Sequence, residues 1–216
     1  MSDTSPSPSR RARCAACDLP ARTCVCALVT SVRNEVEVLV LQHPDEAREA
    51  KNSARLLRLG LAHCRVVVGE SFEPAALAAL LGADVSTTAL LYPAEAPSGA
   101  SIVREAVQPR RVVLLDGTWR KSLKMLCANP LLQSLQRWPL APDTPARYRA
   151  LRKARRPGQL STLEAACAAL ADIESAPSRY EPMLAAFDRF VADRASALRP
   201  SSGGAAFERD PSMDMT

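Results

Sequence analysis

The stretch "VVLLDGTW" at residues 112–119 decides the fold class. Four apolar residues are followed at once by a carboxylate, a glycine, a hydroxyl and an indole. A short apolar run of this kind predicts a buried strand, which puts Asp116 at the strand's carboxyl end. Gly117 lets the backbone approach a ligand closely, and Thr118 can cap a helix that follows. The stretch therefore predicts a strand, a turn and a helix, with polar groups gathered at the turn.

Similar apolar runs recur along the chain and alternate with helical patterns. Strands are predicted at residues 35–42, 64–69, 87–93 and 111–116, with a short strand near "QRWPL" at residues 136–140. Helices are predicted at residues 45–60, 73–82, 98–107, 119–130, 161–174 and 178–198. This alternation predicts an α/β fold with a mostly parallel sheet flanked by helices, and ligands at the carboxyl ends of its strands.

Composition and length predict one globular domain with two tails. The chain has 216 residues, of which 47% are hydrophobic and 24% charged. Residues 1–13 and 199–216 have the composition of disordered tails, which leaves a four-cysteine segment at 14–34 and a main domain at 35–198. No apolar span approaches the roughly 20 residues of a membrane helix, and no apolar signal core follows the N-terminus. We expect a reducing, cytoplasmic location and no membrane partner.

Basic residues are concentrated in the middle of the chain. Residues 110–160 contain twelve Lys or Arg and two acids, a balance of +10, whereas the rest of the chain carries sixteen basic and twenty-one acidic residues, a balance of −5. The densest run, "RYRALRKARR" at residues 147–156, holds six cations. This segregation indicates a surface for a polyanion, with nucleic acid as the first candidate, and a solvated basic face is the alternative.

Four of the seven cysteines lie within thirteen residues in the spacing C-x2-C-x6-C-x-C. They are Cys14, Cys17, Cys24 and Cys26. Four thiolates satisfy the tetrahedral coordination of Zn²⁺ in a closed structural site, and a segment this short has no core of its own. An iron–sulfur cluster is the alternative, because it takes the same four ligands. Cys64, Cys127 and Cys167 lie among apolar neighbours, and we interpret them as core residues.

Two other chain segments are expected near the turn after Asp116. "LLYP" at residues 90–93 ends the preceding strand, and "STLEA" at residues 161–165 begins a later helix. Ser161 and Glu164 have the spacing of a capping box. These three termini, all rich in small or hydroxyl residues, can converge on one crevice. The chain has no G-x-G-x-x-G motif, so a Rossmann-type cofactor site has no support.

Five ordered motifs carry a family resemblance. They are the cysteine set, "QHP" at 42–44 with "KNS" from Lys51, "LLYP", "DGTW", and "RKARRPGQLSTLEA". Together they resemble the DTW-domain family of tRNA-uridine aminocarboxypropyltransferases, over residues 14–165. The resemblance implies a SPOUT-like fold with a trefoil knot in the C-terminal half and S-adenosylmethionine bound in a bent conformation. The implied reaction transfers the 3-amino-3-carboxypropyl group to N3 of a tRNA uridine and releases methylthioadenosine.

The resemblance also implies which residues form the site. Those expected to hold the donor are Leu90, Leu91, Tyr92, Pro93, Asp116, Gly117, Thr118, Trp119, Leu160, Ser161, Thr162 and Glu164. From the positive charge of this region, and not from the resemblance, we expect RNA contacts from Lys121, Arg147, Arg152, Lys153, Arg155 and Arg156. Phosphate contacts from such cations would place the RNA against the donor cleft.

Asp116 is the candidate catalytic residue. Uridine N3 is a poor nucleophile until it loses its proton, and a carboxylate beside the attacked carbon can act as general base. Burial behind "VVLL" would strengthen it as a base. Its alternative role is to bind the ammonium group of the donor. Trp119 can stack on a base or on adenine, or pack beneath the site, and packing is the favoured interpretation.

Two other functions remain open. One is a methyltransferase of the same fold, which would release S-adenosylhomocysteine. The other is a zinc-stabilised RNA-binding module without catalysis, in which "DGTW" and "STLEA" are ordinary helix caps. Gln42 or Asn52 could read a base edge, line the donor cleft or cap a helix, whereas the sequence assigns no role to His43 and Lys51.

Overall fold

The computed structural model describes residues 12–49, 51–93, 108–140 and 160–197. The strands are β1 Glu37–Gln42, β2 Cys64–Val68, β3 Thr88–Leu90, β4 Arg111–Asp116 and β5 Gln136–Arg137. The α-helices are α1 Pro44–Arg48, α2 Ala54–Gly60, α3 Pro74–Leu81, α4 Trp119–Ala128, α5 Pro130–Gln133, α6 Thr162–Ile173 and α7 Glu181–Ala197. Single turns of 3₁₀ helix lie at Ala21–Thr23, Cys26–Leu28, Val85–Thr87 and Pro177–Tyr180.

The five strands form one sheet in the order β2-β1-β4-β3-β5, and every neighbouring pair is parallel. The predicted α/β class with a mostly parallel sheet is therefore confirmed. In the register of the sheet, Gln42 at the end of β1 lies opposite Asp116 at the end of β4 and opposite Val68 at the end of β2. The carboxyl ends of these strands thus form one edge, where ligands bind in parallel sheets.

Helices cover both faces of the sheet. Val112 and Leu114 of β4 pack in one core with α2, α6, α7 and the cysteine segment (residues 14–34). Val113 points the other way, into a second core that includes side chains of α3, α4 and α5. Because side chains alternate along a strand, Asp116 follows Val112 and Leu114 onto the α6 side, and Gln42 does the same on β1. Because of this alternation, both polar side chains point toward the side of the sheet where α6 begins.

The single helix predicted at residues 45–60 is wrong, because the structure has two helices there, α1 and α2. Asn52, between them, donates from Nδ2 to the Glu46 carbonyl at 2.9 Å and accepts from the Ala54 N–H at 2.8 Å. Hydrogen bonds from a side chain to nearby backbone groups compete with the backbone hydrogen bonds of a helix, and here they interrupt the helix. Asn52 thus has the structural, helix-starting role that was one of its three alternatives.

The predicted helix at 119–130 ends earlier, at Ala128, and α5 begins at Pro130. Between them, Asn129 donates to the Glu70 and Met125 carbonyls at 2.9 Å and 2.6 Å and accepts from the Phe72 N–H at 2.9 Å. This buried amide ties α4 to the loop after β2. The last helix likewise begins at Glu181 rather than near residue 178, after a 3₁₀ turn.

Several predictions fall outside the described residues. They are residues 1–11 and 199–216 of the predicted tails, the helix at 98–107, and the basic run at 147–156 with Arg147, Arg152, Lys153, Arg155 and Arg156. Arg13, assigned to the N-terminal tail, is described and its Nε lies 2.9 Å from Asp18 Oδ1, so the tail ends before it. Within the described ranges, no helix combines the length and apolar character needed to cross a bilayer.

Candidate functional site

Asp116 lies at the centre of the polar cluster at the carboxyl edge of the sheet. Its side chain is 8% exposed. Gln42 Nε2 donates to Asp116 Oδ2 at 2.6 Å, and Thr162 Oγ1 donates to Asp116 Oδ1 at 2.5 Å. Both carboxylate oxygens are therefore held, one from the neighbouring strand and one from the start of α6. The expected meeting of the "DGTW" turn with the "STLEA" helix start is confirmed.

The start of α6 is fixed by the capping box that its sequence predicts. Ser161 Oγ accepts from the Glu164 N–H at 3.2 Å, and Glu164 Oε2 accepts from the Ser161 N–H at 2.8 Å. Glu164 is 3% exposed. The capping box occupies both side chains, so Thr162 is the residue of this segment whose hydroxyl contacts Asp116. Leu160 precedes the cap and is half-buried.

The turn after Asp116 packs tightly on α4. A Cβ at Gly117 would lie 3.1 Å from Lys121 Cβ and 3.7 Å from His43 Cβ, so a larger residue there would require Lys121 to shift slightly. Thr118 is the N-cap of α4, as predicted, and its side chain accepts from the Lys121 N–H at 3.4 Å. The turn therefore joins the end of β4 directly to the capped start of α4.

His43 supports this edge from the side. Its backbone N–H donates to the Asp116 carbonyl at 2.9 Å, its Nδ1 accepts from the Asp45 N–H at 3.2 Å, and its Nε2 lies 2.8 Å from Glu70 Oε2. Hydrogen bonds from Lys124 and then His43 lower the pKa of Glu70. With both ring nitrogens engaged, His43 caps α1 and links β1 to the loop after β2. The sequence alone gave it no role.

Lys121, expected to contact RNA, is held by two carboxylates. Its Nζ lies 3.0 Å from Glu46 Oε1 and 3.3 Å from Asp45 Oδ2. The hydrogen bond to Glu46 is the main cause that raises the pKa of Lys121. Lys121 therefore ties α4 to α1, which reduces the positive charge that it can offer to a phosphate. Arg120, the residue before it, has an exposed side chain.

Trp119 is not packed beneath the site. It is 53% exposed, whereas Tyr92 beside it is 5% exposed. The two rings are stacked, with centroids 5.3 Å apart and planes 18° apart. Trp119 lies on the same face of α4 as Ser122 and Leu126, which are buried. As the first residue of the helix, however, it extends past the core, and much of its ring is left uncovered. The expectation that Trp119 is a core residue is therefore wrong.

A buried arginine backs this aromatic pair. The Arg137 guanidinium lies 5.4 Å from the centroid of the Tyr92 ring, and Arg137 is 1% exposed. Burial lowers the pKa of Arg137 and raises that of Tyr92. The Tyr92 ring therefore contacts both a guanidinium and an indole. Nothing in the sequence analysis predicted Arg137, which lies on the two-residue strand β5.

The other residues of "LLYP" contribute mainly to the sheet. Leu90 is fully buried in the second core, and its carbonyl accepts from the Trp138 N–H at 3.0 Å. The Leu91 N–H donates to the Val113 carbonyl at 2.9 Å. Pro93 is exposed at the end of the described segment. Tyr92 is thus the member of this motif with a direct contact to the "DGTW" turn.

The four cysteines of the cysteine segment come together, as predicted. Their sulfur atoms all lie within 4.8 Å of one another, and the Cys14–Cys26 and Cys17–Cys24 sulfur distances are both 3.6 Å. Tetrahedral ligation with metal–sulfur bonds of about 2.3 Å needs sulfurs about 3.8 Å apart. Backbone N–H groups of Cys17 and Ala16 lower the pKa of Cys14 to about 6, whereas burial raises that of Cys26 to about 12. The cluster can hold one metal ion.

The cysteine segment is docked on the main domain. Cys17 and Val25 pack in the core that α6 and α7 share. Arg58 Nη2 of α2 donates to the Ala16 carbonyl at 2.5 Å, and Arg189 Nη2 of α7 donates to the Leu28 carbonyl at 3.2 Å. The three remaining cysteines differ from one another. Cys167 is buried as predicted and Cys64 is half-buried, but Cys127 is exposed, so its assignment to the core is wrong.

The fold and the site define an α/β protein with a carboxylate centre at the carboxyl edge of a parallel sheet and a four-cysteine segment that can bind metal. The DTW domain family matches residues 11–195, and the chain belongs to this family. The resemblance seen in the sequence motifs is thereby confirmed.

The chain is 33% identical over 185 residues to a Drosophila melanogaster protein named tRNA-uridine aminocarboxypropyltransferase 2, with 82% of this chain and 72% of the relative covered. It is 27% and 29% identical to proteins of the same name from Macaca fascicularis and Mus musculus. Those two matches cover 76% and 81% of this chain, and 57% and 61% of the relatives. The chain therefore spans less than two thirds of the length of these two relatives. No solved structure has significant similarity to it.

Proposed function

We propose that this chain is a tRNA-uridine aminocarboxypropyltransferase that moves the 3-amino-3-carboxypropyl group of S-adenosylmethionine to N3 of a uridine. The observation that carries the proposal is membership of the DTW domain family, together with relatives whose names state this activity. The carboxylate centre at the sheet edge supplies the kind of group that the reaction needs.

The residues at this edge suit such a donor. S-adenosylmethionine supplies a sulfonium with three carbons open to displacement, so the product depends on which carbon faces the nucleophile. Asp116, held by Gln42 and Thr162, is a fixed counter-charge at the turn that leads into α4. The capped start of α6 adjoins this position, because Thr162 contacts Asp116 directly. We assign the donor to it.

We assign Asp116 the role of general base toward N3 of the uridine. A base must accept a proton in a defined direction, and two hydrogen bonds from different elements fix its carboxylate. Binding of the donor's ammonium group is the competing role, and it predicts a different defect in a variant.

Gln42 and Thr162 act through Asp116 and are positioning residues. We expect Gln42→Met and Thr162→Val each to lower kcat about ten- to a hundredfold, because a misdirected carboxylate loses alignment with N3. KM for S-adenosylmethionine should change little. Steady-state kinetics with saturating tRNA would measure both constants.

Gln133→Met is the matched control for Gln42→Met, since Gln133 lies on α5 and its Nε2 donates to the Leu126 carbonyl of α4, not to Asp116. It should retain normal kinetics. A Gln42→Met variant with normal kcat would show that Asp116 needs no such support, and an equal loss in both variants would indicate a general effect on folding.

We infer that the cysteine segment holds a structural Zn²⁺ through Cys14, Cys17, Cys24 and Cys26. Sulfur distances of 3.6 Å within two pairs suit a single tetrahedral ion. An iron–sulfur cluster would spread its four thiolates over several irons and hold them farther apart. Four protein sulfurs leave no open position, so the ion would stabilise the segment and take no part in the transfer.

We propose that the fold is SPOUT-like and that a trefoil knot lies in its C-terminal half. The strand order supports this proposal, since the chain passes from β4 at the centre to β5 at the edge and returns to place α6 against the end of β4. The domain boundaries at residues 14, 35 and 198 and the cytoplasmic location stay predictions.

We propose that the basic run at 147–156 binds the tRNA backbone. Changing Arg152, Lys153, Arg155 and Arg156 together to alanine should weaken tRNA binding and reduce the salt slope of log affinity by up to about 3, because each lost phosphate contact removes about 0.7–0.9. Filter binding at several salt concentrations would measure this. Arg65→Ala, an exposed change on edge strand β2, should leave the slope unchanged; an unaltered slope in the fourfold variant would contradict the assignment.

The small-molecule product tests the proposed reaction. With pooled unmodified tRNA and S-adenosylmethionine, the purified chain should release methylthioadenosine. Release of S-adenosylhomocysteine would instead identify a methyltransferase. Binding of tRNA without consumption of the donor would identify an RNA-binding module.

A further inference from the structure

Trp119 is an exposed aromatic residue at the mouth of the proposed active site. It is the first residue of α4 and follows the turn that begins with Asp116. More than half of its surface is exposed, although a side chain of this size normally buries most of its area. Exposed apolar surface beside a polar site is typical of a binding surface.

The indole is held in one orientation. One of its faces rests on Tyr92, and the buried Arg137 guanidinium lies against the Tyr92 ring. Because Tyr92 covers part of the indole and more than half of Trp119 is exposed, the exposed indole surface forms a flat platform. Another planar π-system is the group that fits such a platform best.

Resting on the proposed function, we propose that the open face of Trp119 stacks on a nucleobase of the RNA substrate and not on the adenine of the donor. The charges around the indole favour RNA. Arg120 is exposed next to it, Arg137 lies behind it, and residues 110–160 carry a balance of +10. The donor has a net positive charge, because its single carboxylate is outweighed by a sulfonium and an ammonium, whereas every nucleotide of RNA brings a phosphate that attracts cations.

The geometry also separates the two ligands. Asp116 faces the α6 side of the sheet, where Thr162 donates to it. Trp119 and Tyr92 lie on the other side, with Tyr92 packed in the core that α4 and α5 share. A donor bound on the α6 side of Asp116 and a base stacked on Trp119 would therefore occupy different sides of the β4 end.

Tryptophan fluorescence can test this directly, because the chain has only two tryptophans. Trp138 is 5% exposed and its Nε1 donates to Asp172 Oδ2 at 3.2 Å, so the surface change on binding is confined to Trp119. Pooled unmodified tRNA should quench the emission of the wild-type chain. Methylthioadenosine should not, and Trp119→Phe should lose the response to tRNA.

Binding and kinetics give a second measurement. Trp119→Leu should bind tRNA about ten- to a hundredfold more weakly, the range expected for one lost base stack, and raise KM for tRNA without raising KM for S-adenosylmethionine. Trp119→Phe should recover part of the loss. Val85→Ala removes a comparably exposed apolar side chain, 51% exposed in the 3₁₀ turn that precedes β3 at the opposite end of the sheet, and should bind tRNA normally.

The proposal would be overturned if methylthioadenosine quenched Trp119, or if Trp119→Leu bound tRNA as the wild type does. These outcomes are separate from those for the proposed function. Normal transfer by Trp119→Leu with an unchanged KM for tRNA would contradict the stacking proposal and still support the proposed enzymatic activity. Quenching by tRNA without any transfer would support the stacking proposal and contradict the proposed enzymatic activity.

Discussion

Asp116→Asn is expected to lower kcat for aminocarboxypropyl transfer by about 10²- to 10⁴-fold, the usual contribution of a general base. The amide keeps the size of the side chain but cannot take the N3 proton of uridine. The fold should tolerate it, because the Gln42 amide can reverse and the Thr162 hydroxyl can rotate to face the new amide. Single-turnover kinetics with saturating donor would measure the effect.

Isothermal titration with S-adenosylmethionine decides between the two roles of Asp116. A general base predicts nearly normal donor affinity in Asp116→Asn, whereas an ammonium-binding residue predicts that the affinity is strongly reduced. Asp84→Asn is the matched control, because Asp84 is exposed and caps the turn that precedes β3, at the opposite end of the sheet. Normal turnover by Asp116→Asn would exclude both roles.

Cys17→Ser should have the largest effect on stability. Cys17 is fully buried in the core of the main domain, and its sulfur lies 3.6 Å from that of Cys24. Loss of one ligand should remove the zinc and lower Tm by about 10 °C, since each kcal/mol is worth about 2–4 °C in a chain of this size and structural zinc supplies several. Elemental analysis and thermal unfolding would measure both changes.

Cys127→Ser is the control for this prediction, because Cys127 is exposed on α4 and lies outside the four-cysteine cluster. It should retain both the zinc and the normal Tm. The zinc assignment would be wrong if the purified protein contained iron and sulfide, or if Cys17→Ser kept its metal.

Local patterns in the sequence were enough to predict the elements on which the site is built. "VVLLDGTW" predicted β4 and the Thr118 cap, and "STLEA" predicted the capping box of α6, because strand alternation and helix caps depend on residues a few positions apart. The four-cysteine cluster was predicted for a similar reason, since its ligands lie within thirteen residues.

The contacts that join these elements could not be predicted in the same way. Thr162 and Asp116 are 46 positions apart, and Gln42 and Asp116 are 74 apart, so their hydrogen bonds depend on strand order and helix packing. Local pattern also led to the wrong prediction that Trp119 is packed. Helical periodicity indicates which face of α4 a residue lies on, but it does not indicate how far along that face the core extends. The break between α1 and α2 depends on the Asn52 side chain, which takes the place of backbone groups as a hydrogen-bond partner of Glu46 and Ala54.

Nucleoside mass spectrometry of the RNA product tests the central claim most directly. After incubation of the purified chain with S-adenosylmethionine and pooled unmodified tRNA, digestion should yield uridine that carries a 3-amino-3-carboxypropyl group on N3. The same reaction with Asp116→Asn should yield almost none. Methylated uridine in its place, or unmodified uridine alone from the wild-type chain, would contradict the account.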